Sequence, residues 1–520
     1  MGPRPRIARA YGAALHGIDG IRVEVQAAQV TGIPRSAILG QAEVEVREAR
    51  DRLKVALQSH GLWQSQEVEQ GIIINLAPAG LRKTGTGLDL PICLAVAAIS
   101  RPELARAVEQ VLAYGEVGLD GRLRSSRGTL SAALAARKSG LLRILVPPGA
   151  AREAAQVDGI EVVAVDSLGA AVGYLRGAEN AQSPWPPEAP PPSREMIDLS
   201  EVRGQIAARR ALEVAAAGGH NLILIGPPGS GKTLLSRRIA TILPPLTRPE
   251  ALETTRVHSA AGLISAGTGL ISERPFRAPH HSISAPGLIG GGAPPRPGEV
   301  SLATGGVLFL DELPEFSRAV LETLRQPLES GEVRVVRASG SACFPARFLL
   351  AAAMNPCPCG WYGAQSPGRE CRCSRAQIER YRSKISGPLL DRIDLHVIVR
   401  SVSVADLACE KPGESSSAVR ARVIAARERQ RQRYRGEGVP WNAYLGPRAL
   451  RKICRLPPKA RAQLDQAMRK LNLTARAHDR ILKVARTLAD LAGKQEIGLS
   501  EIAEAVSYRV LDRPVSWVGG

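Results

Sequence analysis

The residues whose types and spacing point to chemistry begin at Gly226. The run Gly226, Pro227, Pro228, Gly229, Ser230, Gly231, Lys232, Thr233 fits the pattern G-x-x-x-x-G-K-[ST]. Glycines let a backbone wrap a polyphosphate, so that N–H groups and a helix N-terminus face the anion. Lys232 is expected to reach the β- and γ-phosphates of ATP, and the Thr233 hydroxyl to ligate Mg²⁺. Leu234 completes the gripping segment as the helix begins. The apolar run Leu222 to Ile225 should be a buried strand feeding this loop, with a helix from Lys232 onward. A chance glycine-rich turn would lack that strand and helix.

A second half of the site lies downstream in GGVLFLDELPEF, residues 305–316. There an apolar strand should end in Asp311 and Glu312. Asp311 can hold the Mg²⁺, directly or through water. Glu312 can polarise the attacking water as a general base. An acidic pair at a strand end is common alone; beside a phosphate loop it points to hydrolysis.

Three more polar residues stand in or beside apolar runs. Asn355 in FLLAAAMNP could orient the lytic water, or be a turn residue before Pro356. Arg392 in GPLLDRIDLHV could stabilise transition-state charge from a neighbouring subunit, or pair with Asp391 or Asp394. Arg476 in LTARAHDRILKVARTLAD could do the same from a helix, or sit exposed. Spacing alone favours the plainer alternative for all three.

A chain of 520 residues allows three or so domains. Hydrophobic residues make up 44% but aromatics only 3%, so the cores must be aliphatic. Lys and Arg number 69 against 49 Asp and Glu, a formal charge of +20. Such an excess suits a polyanionic partner such as nucleic acid, or a solvated basic surface. No run of 18 or more apolar residues suggests a membrane span, and the basic N-terminus lacks a secretory apolar core. A cytoplasmic protein is expected, so the eight cysteines should be thiols or metal ligands.

A proline-rich stretch, residues 178–197, reads as an extended linker. It separates residues 1–177, where β-like and helix-like runs alternate, from a nucleotide-binding core at 198–408. Residues 409–520 open with a basic helix and continue as amphipathic helices. No repeat has solenoid length. Within the core, residues 255–298 form a Gly-, Pro- and His-rich insert that could face a pore or pack on the core. Its adjacent His280 and His281 would face opposite sides of an extended strand, an arrangement poorly suited to one metal.

Cys357, Cys359, Cys371 and Cys373, in a Cys-rich loop at 357–373, make C-x-C-x₁₁-C-x-C. Four thiolates from two close pairs can satisfy tetrahedral Zn²⁺; free thiols on a loop are the alternative. In the basic helix, Arg420, Arg427 and Arg431 can share one face, with Arg422, Arg429, Arg433 and Arg435 nearby. That face could hold phosphates without reading sequence, or be a solvated helix packed on a neighbouring subunit.

Taken together, the GPPGSGKT loop, LFLDE, MNP, LLDRID and the T-x-R of the helical tail resemble an AAA+ ATPase. With DLSEVRGQIAARRALEVAAAGGHNLILIGPPGSGKT, FRAPHHSISAPGLIGGG and NPCPCGWYG…CRC, the chain resembles the YifB/ComM branch of magnesium-chelatase-like proteins over essentially its whole length. The resemblance implies an α/β P-loop core with a C-terminal helical lid. It also implies ATP and Mg²⁺ as cofactors, sensing at Asn355, a trans-acting arginine finger at Arg392 and a sensor arginine at Arg476. It further implies a homo-hexamer that acts as a helicase or branch-migration motor on single-stranded or branched DNA, in natural transformation or recombination. A magnesium-chelatase-like motor subunit that remodels a protein partner is the first alternative.

Residues 82–98 and 115–149 are similar to the protease domain of Lon, an α+β domain that uses a Ser–Lys pair. Here the serine neighbourhood reads Gly85, Thr86, Gly87, Leu88, Asp89, and the lysine position falls at Leu130. An inactive Lon-like scaffold is therefore expected. A Lon-like ATP-dependent protease would need Thr86 as a substitute nucleophile.

Overall fold

The computed structural model describes residues 6–30, 37–63, 71–178, 197–265, 267–337, 340–363, 370–401, 413–436 and 439–512. Nearly all of the proline-rich linker lies outside the described residues, as does part of the break before the basic helix.

The N-terminal unit is built on a seven-stranded mixed sheet. Its centre is a long hairpin of Ile7–His16 and Asp19–Val30, paired from Ile7 opposite Ala28 to His16 opposite Asp19. Gly17 makes the tight turn possible with φ +66°, a conformation that costs glycine little. Leu112–Ala113, Arg143–Val146 and Glu161–Ala164 extend the sheet with parallel pairings. Helix Asp89–Ser100 packs against the hairpin and is buried along almost its whole length. Its sequence DLPICLAVAAIS is apolar on every side, which only a fully enclosed helix tolerates. Helix Thr129–Lys138 joins a second core containing Leu112, Ile144 and Val146.

The nucleotide-binding core is a five-stranded sheet. Its order is Phe276–Arg277, Val307–Leu310, Leu349–Met354, Leu222–Ile225, Leu395–Ile398, and every pairing is parallel. The three strands Leu222–Ile225, Val307–Leu310 and Leu349–Met354 are unbroken apolar runs because both faces are covered. Alternation assigns Leu222 and Leu224 to one core and Ile223 and Ile225 to the other.

The first core also takes in the C-terminal helices Ser416–Arg433, Ala475–Leu491 and Leu499–Ser507. Val419, Val423 and Ala426 are buried in it. The basic helix therefore packs on its own chain, against Ile206–Gly218 and Lys232–Ile242.

The insert is less irregular than its composition suggests. Residues 255–261 belong to helix Arg248–Ala261, and Ala285–Ile289 is a short helix. The insert also touches the N-terminal unit. The Ser259 hydroxyl donates to Glu153 at 2.5 Å and accepts the Gly128 N–H at 2.9 Å. Glu332–Arg337 pairs antiparallel with Gly340–Pro345, a hairpin whose alternate residues Val333 and Val335 enter the core while Glu332 and Arg334 stay exposed. No helix among the described residues is long and apolar enough to cross a membrane.

Candidate functional site

The phosphate loop follows the strand Leu222–Ile225 and ends at the helix Lys232–Ile242, as the residue pattern requires. Gly229 and Gly231 hold φ of +75° and +87°. Gly226 is needed for close approach: a Cβ there would sit 2.2 Å from the Val399 carbonyl oxygen. Pro227 and Ser230 are buried, while Pro228, Gly229, Thr233 and Leu234 form an exposed rim. Gln205 braces the loop from outside, donating to the Arg400 carbonyl at 2.6 Å and the Ser230 carbonyl at 3.3 Å.

Lys232 donates to the carbonyls of Gly226 (2.8 Å) and Pro227 (2.9 Å) and to Asn355 Oδ1 (3.3 Å). Burial lowers its pKa, while Asp311 and Glu312 act to raise it. The Thr233 hydroxyl donates to Asp311 Oδ2 at 2.7 Å, and Asp311 Oδ1 accepts the Glu312 N–H at 2.9 Å. Asp311, Glu312 and Asn355 all follow the carboxyl ends of adjacent parallel strands, the edge where open α/β sheets bind ligands. A hydroxyl and a carboxylate meet where a divalent cation could sit, below backbone N–H groups that could receive phosphate. Glu312 holds φ +51°, in the left-handed region where non-glycine residues are uncommon and cluster at functional sites.

His280 and His281 do not face opposite sides of an extended strand: they lie outside any strand with ring centroids 4.0 Å apart, and the place His281 takes was not expected from the sequence. The insert carries the His281 ring to within 3.6 Å of Glu312 and sets it edge-on to Phe316. Nothing in the spacing could show this, because the contact depends on how the insert returns to the sheet.

Arg392 and Arg476 are not brought to this phosphate loop. Asp394 N–H bonds the carbonyl of Asn221, at the beginning of the strand whose far end carries Gly226. Four strand residues span roughly 13 Å. Arg392 donates to Glu329 at 2.5 Å and to the Pro388 carbonyl at 2.7 Å. Arg476 donates to Asp391 at 2.7 Å. Both line one cavity, with Asp394, Arg480 and Lys483, at the opposite edge of the sheet from Lys232.

The four cysteines do come together. Cys357 Sγ lies 3.3 Å from Cys359 Sγ and 3.7 Å from Cys371 Sγ, and Cys359 and Cys371 are also 3.7 Å apart. All four sulfurs, including that of Cys373, lie within 4.8 Å of one another.

The basic helix corrects the expectation of a shared phosphate-binding face. Arg427 is buried, stacked on Trp441 and bonded to the Ala216 carbonyl. Arg420 bonds the Thr241 carbonyl, Arg422 pairs with Glu213 and Glu414, and Arg433 pairs with Asp490. These side chains are committed to their own chain; Arg431 is exposed beside Glu428.

In the N-terminal unit, Leu130 is fully buried and its N–H donates to Glu153. Thr86 Oγ1 meets the Ser126 hydroxyl at 3.2 Å, which supplies no base. Lys83 is buried and bonded to the carbonyls of Gly40 and Pro78.

Comparison with known proteins extends over nearly the whole chain. Residues 198–407 match the family model for magnesium chelatase, subunit ChlI, and residues 413–509 match its C-terminal model. Residues 23–150 match a model for subunit ChlI of Mg-chelatase. The competence protein ComM of Haemophilus influenzae is 42% identical over 516 residues, covering 98% of each chain. The uncharacterized protein YifB of Escherichia coli is 42% identical over 499 residues, 96% of each. An uncharacterized protein of Mycobacterium tuberculosis is 42% identical over 505 residues, 97% of this chain and 98% of the relative.

Proposed function

Since the chain belongs to the YifB/ComM family of magnesium-chelatase-like, AAA+ ATPase-like proteins, we propose that it is an ATP-driven ring motor acting on branched or single-stranded DNA. In this reading Lys232 holds the β- and γ-phosphates, and Thr233 and Asp311 hold Mg²⁺. Glu312 activates water that Asn355 helps orient. Mg²⁺ would supply charge neutralisation at the phosphates.

The observation that carries the reading is the separation of the two halves of the machinery. Lys232, Thr233, Asp311 and Asn355 are assembled on one edge of the sheet, and Arg392 and Arg476 lie on the other. A neighbouring subunit that presents its arginine edge to this phosphate loop would complete the site, which favours a closed ring such as a hexamer. Hydrolysis would then alter the packing between subunits.

DNA as the substrate is supported by the name of the Haemophilus relative, a competence protein, and by the charge of +20. The N-terminal unit serves in this proposal as a Lon-like scaffold without peptidase chemistry, since neither Leu130 nor Thr86 supplies a nucleophile–base pair.

The test is ATP- and Mg²⁺-dependent branch migration of synthetic three- and four-way DNA junctions, with Lys232→Ala and Glu312→Gln as controls. Product from the wild type alone is expected. ATP hydrolysis with every junction left intact would overturn the DNA reading and direct the search to a protein partner.

A further inference from the structure

We propose that Cys357, Cys359, Cys371 and Cys373 form a structural zinc site, and that this metal-held knuckle buttresses the phosphate loop. The second part rests on the nucleotide-site reading above.

The distances suit the ion. A regular tetrahedron of sulfurs about 2.3 Å from Zn²⁺ has edges of about 3.8 Å. The sulfur separations are 3.3, 3.7 and 3.7 Å for the three pairs among Cys357, Cys359 and Cys371, and Cys373 closes the group. An S–S bond is about 2.05 Å, so none of these three pairs is a disulfide. The donor set is all sulfur, which selects a soft, four-coordinate ion over Mg²⁺ or Ca²⁺.

The surroundings also suit a thiolate cluster. The Tyr362 N–H points at Cys357 Sγ at 3.4 Å, the kind of outer bond that orients a ligating sulfur. Four thiolates on Zn²⁺ carry two net negative charges. Arg372 lies between the second pair of cysteines, and Arg382 stacks on Tyr362 while bonding the Pro356 carbonyl at 3.3 Å.

The link to the phosphate loop is steric. Cys357 stands two residues after Asn355, which accepts a hydrogen bond from Lys232. Gly360, with φ +85°, lies so close beneath the loop that a Cβ would sit 2.7 Å from Pro228 Cδ and 3.9 Å from Asn355 Cγ. The far pair, Cys371 and Cys373, immediately precedes the capped helix Arg375–Arg382. A metal joining the two pairs would pin the segment after Asn355 to that helix and hold Gly360 against Pro228.

Metal content of the purified full-length chain, measured by mass spectrometry, tests the site. One zinc per chain is expected; Cys359→Ser and Cys371→Ser should lose it, and Cys343→Ser, outside the cluster, should keep it. Cobalt loading of the wild type, which needs no variant to fold, should give the intense visible bands of a tetrahedral thiolate complex. Absence of bound metal after zinc and cobalt loading, recovery of the four cysteines as disulfides, or zinc that survives Cys371→Ser would overturn the site.

The buttress is read by affinity for a fluorescent ATP analogue. Zinc-free Cys371→Ser should bind it several-fold more weakly than wild type and Cys343→Ser. Equal affinity would overturn the buttress while leaving the metal site standing. A wild type that binds zinc but no nucleotide would overturn the buttress and the nucleotide reading together.

Discussion

The ring of His281 approaches a carboxylate oxygen of Glu312 to 3.6 Å, although the two residues come from an insert and from a strand end of the central sheet. In the proposed mechanism Glu312 takes a proton from the attacking water, and an ion pair with protonated His281 would restrain it. We predict that His281→Ala raises ATPase activity in the absence of DNA. An exposed pair of this kind contributes about 0.2–1 kcal/mol, so the rise should be roughly 1.5- to 5-fold. Steady-state phosphate release measures it, and an unchanged or lower rate would refute the restraint.

The separation of Arg392 from its own phosphate loop makes a second expectation. Arg392→Ala and Lys232→Ala should each be nearly inactive, since a trans arginine contributes on the order of 10³-fold or more. Mixing the two variants should restore part of the ATPase activity, because some interfaces then combine an intact phosphate loop with an intact arginine edge. A mixture as inactive as its components would show that Arg392 does not act across an interface. Arg476→Ala paired with Lys232→Ala should complement in the same way.

Asp394 anchors the arginine edge and should set its acid stability. It is fully buried, accepting from Arg480 at 2.9 Å and bonded to His220 at 2.8 Å. Burial raises its pKa, but Arg480 and the His220 bond outweigh this and hold the carboxyl far below the usual carboxylate range. The folded pKa is thus depressed. Its stabilisation is present above the unfolded value of about 3.9, and is lost as pH falls from there through the folded value. Asp394→Asn should cost roughly 3–5 kcal/mol at neutral pH and remove this part of the acid loss. Urea denaturation at pH 7 and across pH 4 to 3 checks both.

The arginines of Ser416–Arg433 should behave as structural residues. Arg433→Ala removes one of the partners of the buried Asp490, which keeps Arg486 at 3.0 Å and the Asn442 amide at 2.9 Å, and should destabilise by on the order of 1–2 kcal/mol. If the chain binds DNA as proposed, the salt dependence of that binding should keep its slope in this variant and in Arg420→Ala. A slope smaller by about one would mean that the substituted arginine meets a phosphate.

Much of the site could be read in the chain because its chemistry is local. A glycine-rich turn between an apolar strand and a helix is one contiguous segment, and its backbone geometry follows from residue type. Asp311 and Glu312 were legible for the same reason, as the end of a buried run. The cysteine pairs were legible by spacing, but the sulfur distances needed the fold.

The arginine-rich helix misled because charge composition does not say what a side chain meets. Once Val419, Val423 and Ala426 enter the core, the flanking guanidiniums fall beside carbonyls and carboxylates of the same chain. The sequence alone determined the buried strand that leads into the phosphate loop, the loop itself and the acidic pair at the end of a second buried strand. Only the tertiary structure decided that His281 meets Glu312, that Gly360 lies beneath Pro228, and that Arg392 and Arg476 occupy the edge opposite Lys232. Local patterns follow from backbone preference and burial along a few residues, whereas these contacts join segments far apart in sequence, and chain topology sets their distances.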